Sequence, residues 1–215
     1  MTAERTPRSY RGIAPDQRVE MRRTRFIEAG IALFGGQGYH ATTVKALCAE
    51  AKLTERYFYE SFANTEDLLV HVYRDIAGRG RAAYRQAAER AGKSMAARVA
   101  AALESYFRFL DADPAAARVI LIEIEGVSEQ CDLIYRYELH DIASTFGQIL
   151  GPELPVAPPP GLSAELLSFA MIGGVYQLAK EWLLSGRTRP VEALVANSQT
   201  MILAVAEAWK GGRPS

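Results

Sequence analysis

Apolar residues recur at three- and four-residue spacing through almost the whole chain, and no stretch combines strict two-residue alternation with β-branched and aromatic enrichment. This pattern dictates an all-α fold. One segment cannot take part: Gly151 to Gly161 holds five of the ten prolines, and proline both lacks the amide donor and keeps the preceding residue out of helical geometry. It must be a loop between two long helices.

The spacing predicts about nine helices. The first runs from Asp16, a plausible N-cap, to Phe34, with Phe26, Ile27, Gly30, Ile31 and Phe34 on its inward stripe, and is ended by Gly35-Gly36-Gln37-Gly38. A two-turn helix then begins at Thr42 or Thr43 and buries Val44, Leu47, Cys48 and Ala51. Lys52-Leu53 make a turn, and Thr54 caps a third short helix whose inward contacts are Phe58 and Phe62. Asn64 or Thr65 caps a longer helix from Glu66 to about Ala91. Further helices are expected near Met95 to Ala112, Pro114 to Glu125, Ser128 to Leu150, Ser163 to Leu184 and Val191 to Trp209. The organisation that follows is a three-helix unit at 16–65, a larger helical domain at 66–210 and a flexible basic arm at 1–15.

Charge separates the same two regions. The whole chain carries 25 Lys and Arg against 25 Asp and Glu, but the first 65 residues hold 10 bases and 7 acids, a balance of +3, which leaves −3 for the rest. Acids concentrate between Asp111 and Asp141. Cys48 and Cys131 are too far apart for a Cys-x-x-Cys site, and a reducing compartment is the default reading. The Arg-rich N-terminus lacks the apolar stretch of a secretory signal, and the longest apolar tract, Leu166 to Ala179, is too short to span a bilayer, so the chain is expected to be cytoplasmic and to have no membrane partner.

Two short helices joined by a tight turn and preceded by a longer basic helix form a helix-turn-helix, a rigid platform that presents one helix to the major groove of DNA. The third helix is the candidate reader, with Glu55, Arg56, Tyr57, Tyr59, Glu60 and Ser61 turned outward. Arg56 suits a bidentate contact to guanine, Glu55 or Glu60 suits the cytosine amine, and the tyrosine hydroxyls suit phosphate. Thr42 or Thr43 offers a hydroxyl and free backbone N–H groups at a helix N-terminus. Lys45, Lys52 and the arginines at 18, 22, 23 and 25 add positive charge, and Arg5, Arg8 and Arg11 form either a groove-tracking arm or a solvated tail.

The blocks Gly38-Tyr39-His40-Ala41-Thr42-Thr43-Val44-Lys45-Ala46-Leu47, Leu53-Thr54-Glu55-Arg56-Tyr57-Phe58-Tyr59-Glu60-Ser61-Phe62 and Asn64-Thr65-Glu66-Asp67-Leu68-Leu69 resemble the DNA-binding signature of TetR-family transcriptional regulators. The resemblance covers roughly Arg25 to Leu69. It implies an N-terminal helix-turn-helix DNA-binding domain joined to a C-terminal helical effector-binding and dimerisation domain. It also implies a homodimer on a pseudo-palindromic double-stranded operator, with repression relieved by a small-molecule effector. By the same resemblance Thr43 falls on the second-helix threonine, Thr54, Arg56 and Tyr57 on base or phosphate contacts, and Tyr59 on a phosphate-binding tyrosine. Three positions depart from the pattern: Lys52 stands where a turn glycine is usual, Ser61 where an aromatic or histidine is usual, and Thr65 where a lysine commonly meets phosphate.

In the larger domain the resemblance implies an effector pocket among the middle helices. Tyr106, Phe107, Leu110, Tyr137, His140, Phe169 and Tyr176 are the lining candidates, each of which also suits plain core packing. Glu123 and Glu125 interrupt the apolar run from Val119 to Ile124, so one of them is a candidate to face a cationic ligand, although a solvated helix face explains both equally. The apolar faces around Leu166, Ala170, Gly173 and Gln177, and around Val195, Ile202 and Val205, suit either a subunit interface or an intrachain core.

No catalytic residue, metal site or cofactor is expected. His40, His71 and His140 lack a second ligand at metal-binding spacing, and neither a dinucleotide nor a Walker-type glycine motif is present. A second functional reading remains, that of a helical sensor or interaction module without specific DNA binding, motivated by Thr65, Glu55 and Glu60.

Overall fold

The computed structural model describes residues 15–151, 154 and 158–211. The basic arm expected at 1–15, with Arg5, Arg8 and Arg11, lies almost entirely outside them, as does much of the proline run. The described residues form nine α-helices and no strand. In chain order these are α1 (Pro15–Gln37), α2 (Val44–Ala51), α3 (Glu55–Ser61), α4 (Thr65–Arg90), α5 (Met95–Ala112), α6 (Pro114–Arg118), α7 (Glu129–Leu150), α8 (Ala164–Leu184) and α9 (Val191–Gly211). No helix of these is long and apolar enough to cross a membrane.

Local chemistry sets most boundaries. Thr43, Asn64, Asp113, Ser128 and Ser163 each cap a helix by accepting the amide three residues on, which satisfies a donor that the first turn leaves unpaired. Two boundaries differ from expectation. Helix α1 runs through Gly35-Gly36 instead of stopping at Phe34, and only Gly38, at φ +93°, turns the chain out of it. Gly35 is glycine for another reason: a Cβ there would overlap the backbone carbonyl of Ala115, because α1 and α6 touch backbone to backbone. The helix expected from Pro114 to Glu125 is also divided, since after Arg118 it widens into a π-helical turn over Val119–Glu123.

Two cores are visible. One joins the three N-terminal helices to the start of α4 and to the α6 region, through Phe26, Phe34, Leu47, Phe58, Leu68, Val72, Val119 and Ile124. The other fills the bundle of α4, α5, α7, α8 and α9, through Tyr84, Leu103, Phe107, Leu121, Phe146, Val175 and Ile202. Helix α4 therefore belongs to both, one half in each. Ile202, a candidate for either interface or core, packs inside this second core with Trp182, Leu194 and Ala206, and Trp209 is buried as well. Solvent instead sees Leu166, Phe169, Ala170, Gly173 and Gln177 of α8 and Ala196, Asn197, Thr200, Ala204 and Ala208 of α9.

Candidate nucleic-acid interface and interior cavity

The N-terminal helices are locked by an aromatic cluster. The rings of Phe58 on α3 and Phe62 just after it meet Phe26 of α1 edge to face, at centroid separations of 5.4 and 6.3 Å. Two arginines of α1 tighten the joint. The Arg23 guanidinium lies 4.5 Å over the Phe62 ring and donates to the Ser61 carbonyl at the C-terminal end of α3, at 2.7 Å. Arg22 lies 4.5 Å over the Tyr57 ring. These two of the four α1 arginines therefore hold the reading helix in place rather than standing free for phosphate.

The outward face of α3 carries Glu55, Arg56, Tyr59 and Glu60, all exposed, with Tyr59 at 59%. Arg56 donates through Nε to Glu60 Oε1 at 2.9 Å, one helical turn on, and Glu60 Oε2 lies 3.9 Å from Arg22. Thr54 is exposed and its hydroxyl makes no capping bond. Lys45 is exposed on α2, and Lys52, also exposed, closes that helix in the left-handed region at φ 53°, where the usual residue is glycine. Thr65 opens α4, half-buried behind the Asn64 cap.

Two expected contacts are corrected by this geometry. Thr42 is 7% exposed, and its hydroxyl donates to the Gly38 carbonyl and accepts from Gln37, so it shapes the loop; Thr43 is the exposed cap. The Ser61 hydroxyl donates back to the Tyr57 carbonyl within the helix. Thr43, Lys45, Lys52, Thr54, Glu55, Arg56 and Tyr59 stay accessible around α2 and α3, with Tyr57 half-buried under Arg22.

The interior candidates divide more sharply. Two adjoining cavities, of about 50 and 40 Å³, lie between α4, α5, α7 and α8 and share Tyr84, Tyr106, Leu139, Ile142 and Tyr176 in their walls. Tyr106 and Tyr176 are thus lining residues. Phe107 and Leu110 are not: both are fully buried in the core, Phe107 edge-on to Trp182. Tyr137, 70% exposed, faces solvent. His140 and Phe169 meet ring to ring at 5.2 Å on a surface groove of about 410 Å³ between α7 and α8, away from the interior. Tyr84, absent from the expected set, is the residue that periodicity alone assigns to packing.

Glu123 lines neither cavity. Its carboxylate accepts the Tyr39 amide at 2.8 Å and pairs with Arg118 at 2.8 Å, which pins the Gly38-Tyr39 loop to the π-helical turn. Glu125 pairs with Lys180 at 2.6 Å and accepts from the Tyr176 hydroxyl. Neither acid is left to meet a cationic ligand. The apolar run they interrupt is the sequence signal for this joint, and it marks a contact with the N-terminal helices instead. The single Tyr176 hydroxyl proton goes chiefly to the Ile120 carbonyl at 2.8 Å, with Glu125 sharing it at 3.3 Å, so a cavity wall is bonded directly to the π-helical turn.

Comparison with known proteins places this geometry. Residues 26–72 match the family model described as bacterial regulatory proteins, tetR family. The chain is 32% identical over 69 residues to the HTH-type transcriptional regulator HbdR of Aromatoleum sp. (strain CIB), a match that spans 32% of this chain and 30% of that protein's length. Among solved structures it is similar to the fatty acid degradation regulator FadR of Bacillus halodurans, with a TM-score of 0.74 at 18% identity over 85% of this chain and 94% of the other. It is also similar to FadR of Bacillus subtilis, solved in complex with stearoyl-CoA, with a TM-score of 0.72 at 18% identity over 89% and 99%.

Proposed function

We propose that this chain, which matches the tetR-family model at residues 26–72 and folds along its length like a solved regulator, is a sequence-specific, effector-responsive DNA-binding regulator of that family. The observation that carries the reading is the exposed face of α3, in which Arg56 and Tyr59 project from a helix fixed to α1 by Phe26, Phe58, Phe62 and Arg23. A helix so braced can enter a major groove without being ordered on arrival, and Arg56 there reads guanine.

The reading unit we propose spans residues 16–65, with Thr43, Lys45, Lys52 and Thr54 on flanking phosphates, and 66–210 forms the dimerisation and effector domain. Two copies pair through the exposed small-residue faces of α8 and α9, so that two heads address half-sites about 34 Å apart on a pseudo-palindrome. The effector enlarges the cavity beside Tyr106 and Tyr176, which as it stands is well below the several hundred Å³ of ordinary ligand pockets. Its apolar walls favour an apolar effector, a choice in keeping with the stearoyl-CoA complex of the Bacillus subtilis FadR.

Coupling to the head follows the bonds already described. Displacing Tyr176 moves Ile120 and the π-helical turn, and Glu123 transmits that shift to the Tyr39 amide at the entrance to α2. Helix α4, shared by both cores, moves with it, and the two heads separate from successive grooves. We assign the role of repressor released by its effector to this change.

The test is retardation of duplex DNA from upstream of the protein's own coding sequence. Specific binding, with preference at one base pair relaxed in Arg56→Ala and affinity weakened in Tyr59→Phe, is the expected result. The Arg56–Glu60 pair favours a second reading, a helical sensor without specific DNA binding. A folded dimer that prefers no sequence even at low salt would establish that reading and end the first.

A further inference from the structure

The Tyr84 hydroxyl is buried and makes no hydrogen bond, although Tyr84 borders both interior cavities. An unmade hydrogen bond inside a protein is costly, and such a group is retained where something outside the chain completes it. The surroundings define what that is. Ala102, Leu103, Leu139, Ile142, Phe146 and Val175 supply apolar walls. Among the described residues Arg81 is the one charged side chain that lines these cavities, and it already has opposite partners. Arg81 pairs with Glu138 and Asp141, and Lys180 pairs with Glu125. The Tyr176 hydroxyl is committed to Ile120 and Glu125. Burial, the largest influence on its titration, pushes the Tyr84 phenol up to about 12, so it remains a donor at neutral pH.

The cavities are also elongated. Tyr73, Ile76, Gly80 and Tyr84 line the smaller one along one face of α4, a run of twelve residues that rises about 16 Å. We propose that this space takes an extended, uncharged, largely apolar molecule bearing one hydrogen-bond acceptor, such as an ester or thioester carbonyl, which the Tyr84 hydroxyl fixes. The proposal rests on the effector reading above and adds the chemical class of the effector. A charged group in the same place would meet apolar walls and no free counter-charge, and its desolvation would go unrepaid.

The experiment compares four probes of equal chain length on the full protein by calorimetric titration: methyl decanoate, decane, decanoate and decyltrimethylammonium. The expected result is that the ester binds best, and that Tyr84→Phe lowers its affinity about five- to tenfold, toward that of decane. The same substitution leaves decane binding and DNA retardation unchanged and does not lower the thermal midpoint, since it removes an unpaired polar atom. Stronger binding of either charged probe overturns the proposal, as does an ester affinity indifferent to Tyr84→Phe or a protein that binds none of the four. Because the titration uses free protein, it succeeds or fails independently of DNA binding.

Discussion

Arg56 Nε lies 2.9 Å from Glu60 Oε1, so the residue best suited to read a base is already held by a carboxylate one turn away on the same helix. The bond uses Nε and leaves the two terminal nitrogens for a guanine edge. Arg56→Ala should therefore cost about 1–3 kcal/mol at one base pair and relax preference there. Glu60→Gln should act differently. It removes a negative charge facing phosphate, so affinity rises across all sequences, while preference at the Arg56 base pair falls. Binding to a set of single-base operator variants separates these effects; equal changes across all variants for both substitutions would show that Glu60 does not orient Arg56.

The Glu123 carboxylate, 10% exposed, joins the Tyr39 amide to Arg118. Hydrogen bonds to a charged group contribute about 1.5–3 kcal/mol. Glu123→Ala should lower stability by that order and speed hydrogen exchange at the Tyr39 amide, while the Phe26–Phe58 cluster keeps its protection. Unchanged exchange at Tyr39 would mean that the loop is held by other contacts.

Lys52 adopts φ 53° at the end of α2. A non-glycine residue in the left-handed region costs about 1 kcal/mol or more. Lys52→Gly should raise the thermal midpoint and, by removing an exposed cation beside the reading helix, reduce the salt dependence of DNA binding by about one counterion. A lower midpoint would contradict the strain assigned here.

Gly173 lies on the exposed face of α8, and a Cβ built on it meets nothing within 4 Å. The isolated subunit can therefore accept a side chain there, but two α8 helices in close approach cannot. Gly173→Glu should give a folded monomer by light scattering, with weakened DNA binding because two linked heads become one. A dimer as stable as the parent would place the interface elsewhere.

Burial raises the phenols of Tyr73, Tyr84 and Tyr176 above their ordinary value, Tyr84 to about 12. Their folded values exceed the unfolded value near 10, so the stability they confer is complete below that pH and lost as pH rises toward the folded values. The loss approaches about 1.4 kcal/mol per pH unit for each phenol. Denaturant midpoints should fall steeply above pH 10, together with the appearance of phenolate absorbance. Phenolate signal assigned to Tyr73, Tyr84 or Tyr176 by Tyr→Phe difference spectra, which set aside the exposed Tyr59 and Tyr137, would, if it preceded any loss of structure, show that these rings are open to water.

The N-terminal helices were legible because their determinants are local. The Thr43 and Asn64 caps, the Phe58 and Phe62 spacing and the tight turn at Lys52 all act within a few residues. What escaped the sequence depends on residues far apart in the chain. Gly35 reads as a helix terminator until Ala115 lies against it. Glu123 reads as a ligand contact until Tyr39, 84 residues away, accepts that role. The pocket candidates divided for a related reason, since an aromatic residue looks the same in sequence whether it borders a void, as Tyr106 does, or fills one, as Phe107 does. Tyr84 is told apart from them only by a missing partner, which no pattern of residue types records.

The contact between Gly35 and Ala115 has a mechanical consequence. Most helices touch through side chains, which can change rotamer and absorb a small displacement before the neighbouring backbone feels it. At Gly35 no side chain stands between α1 and α6, so the two backbones mesh at that point without backlash. A shift of even a few tenths of an ångström in α6 must either be passed on whole to α1 or be refused. That stiffness lets a small event in the bundle be registered at the far end of the molecule as a step instead of being damped into a gradient.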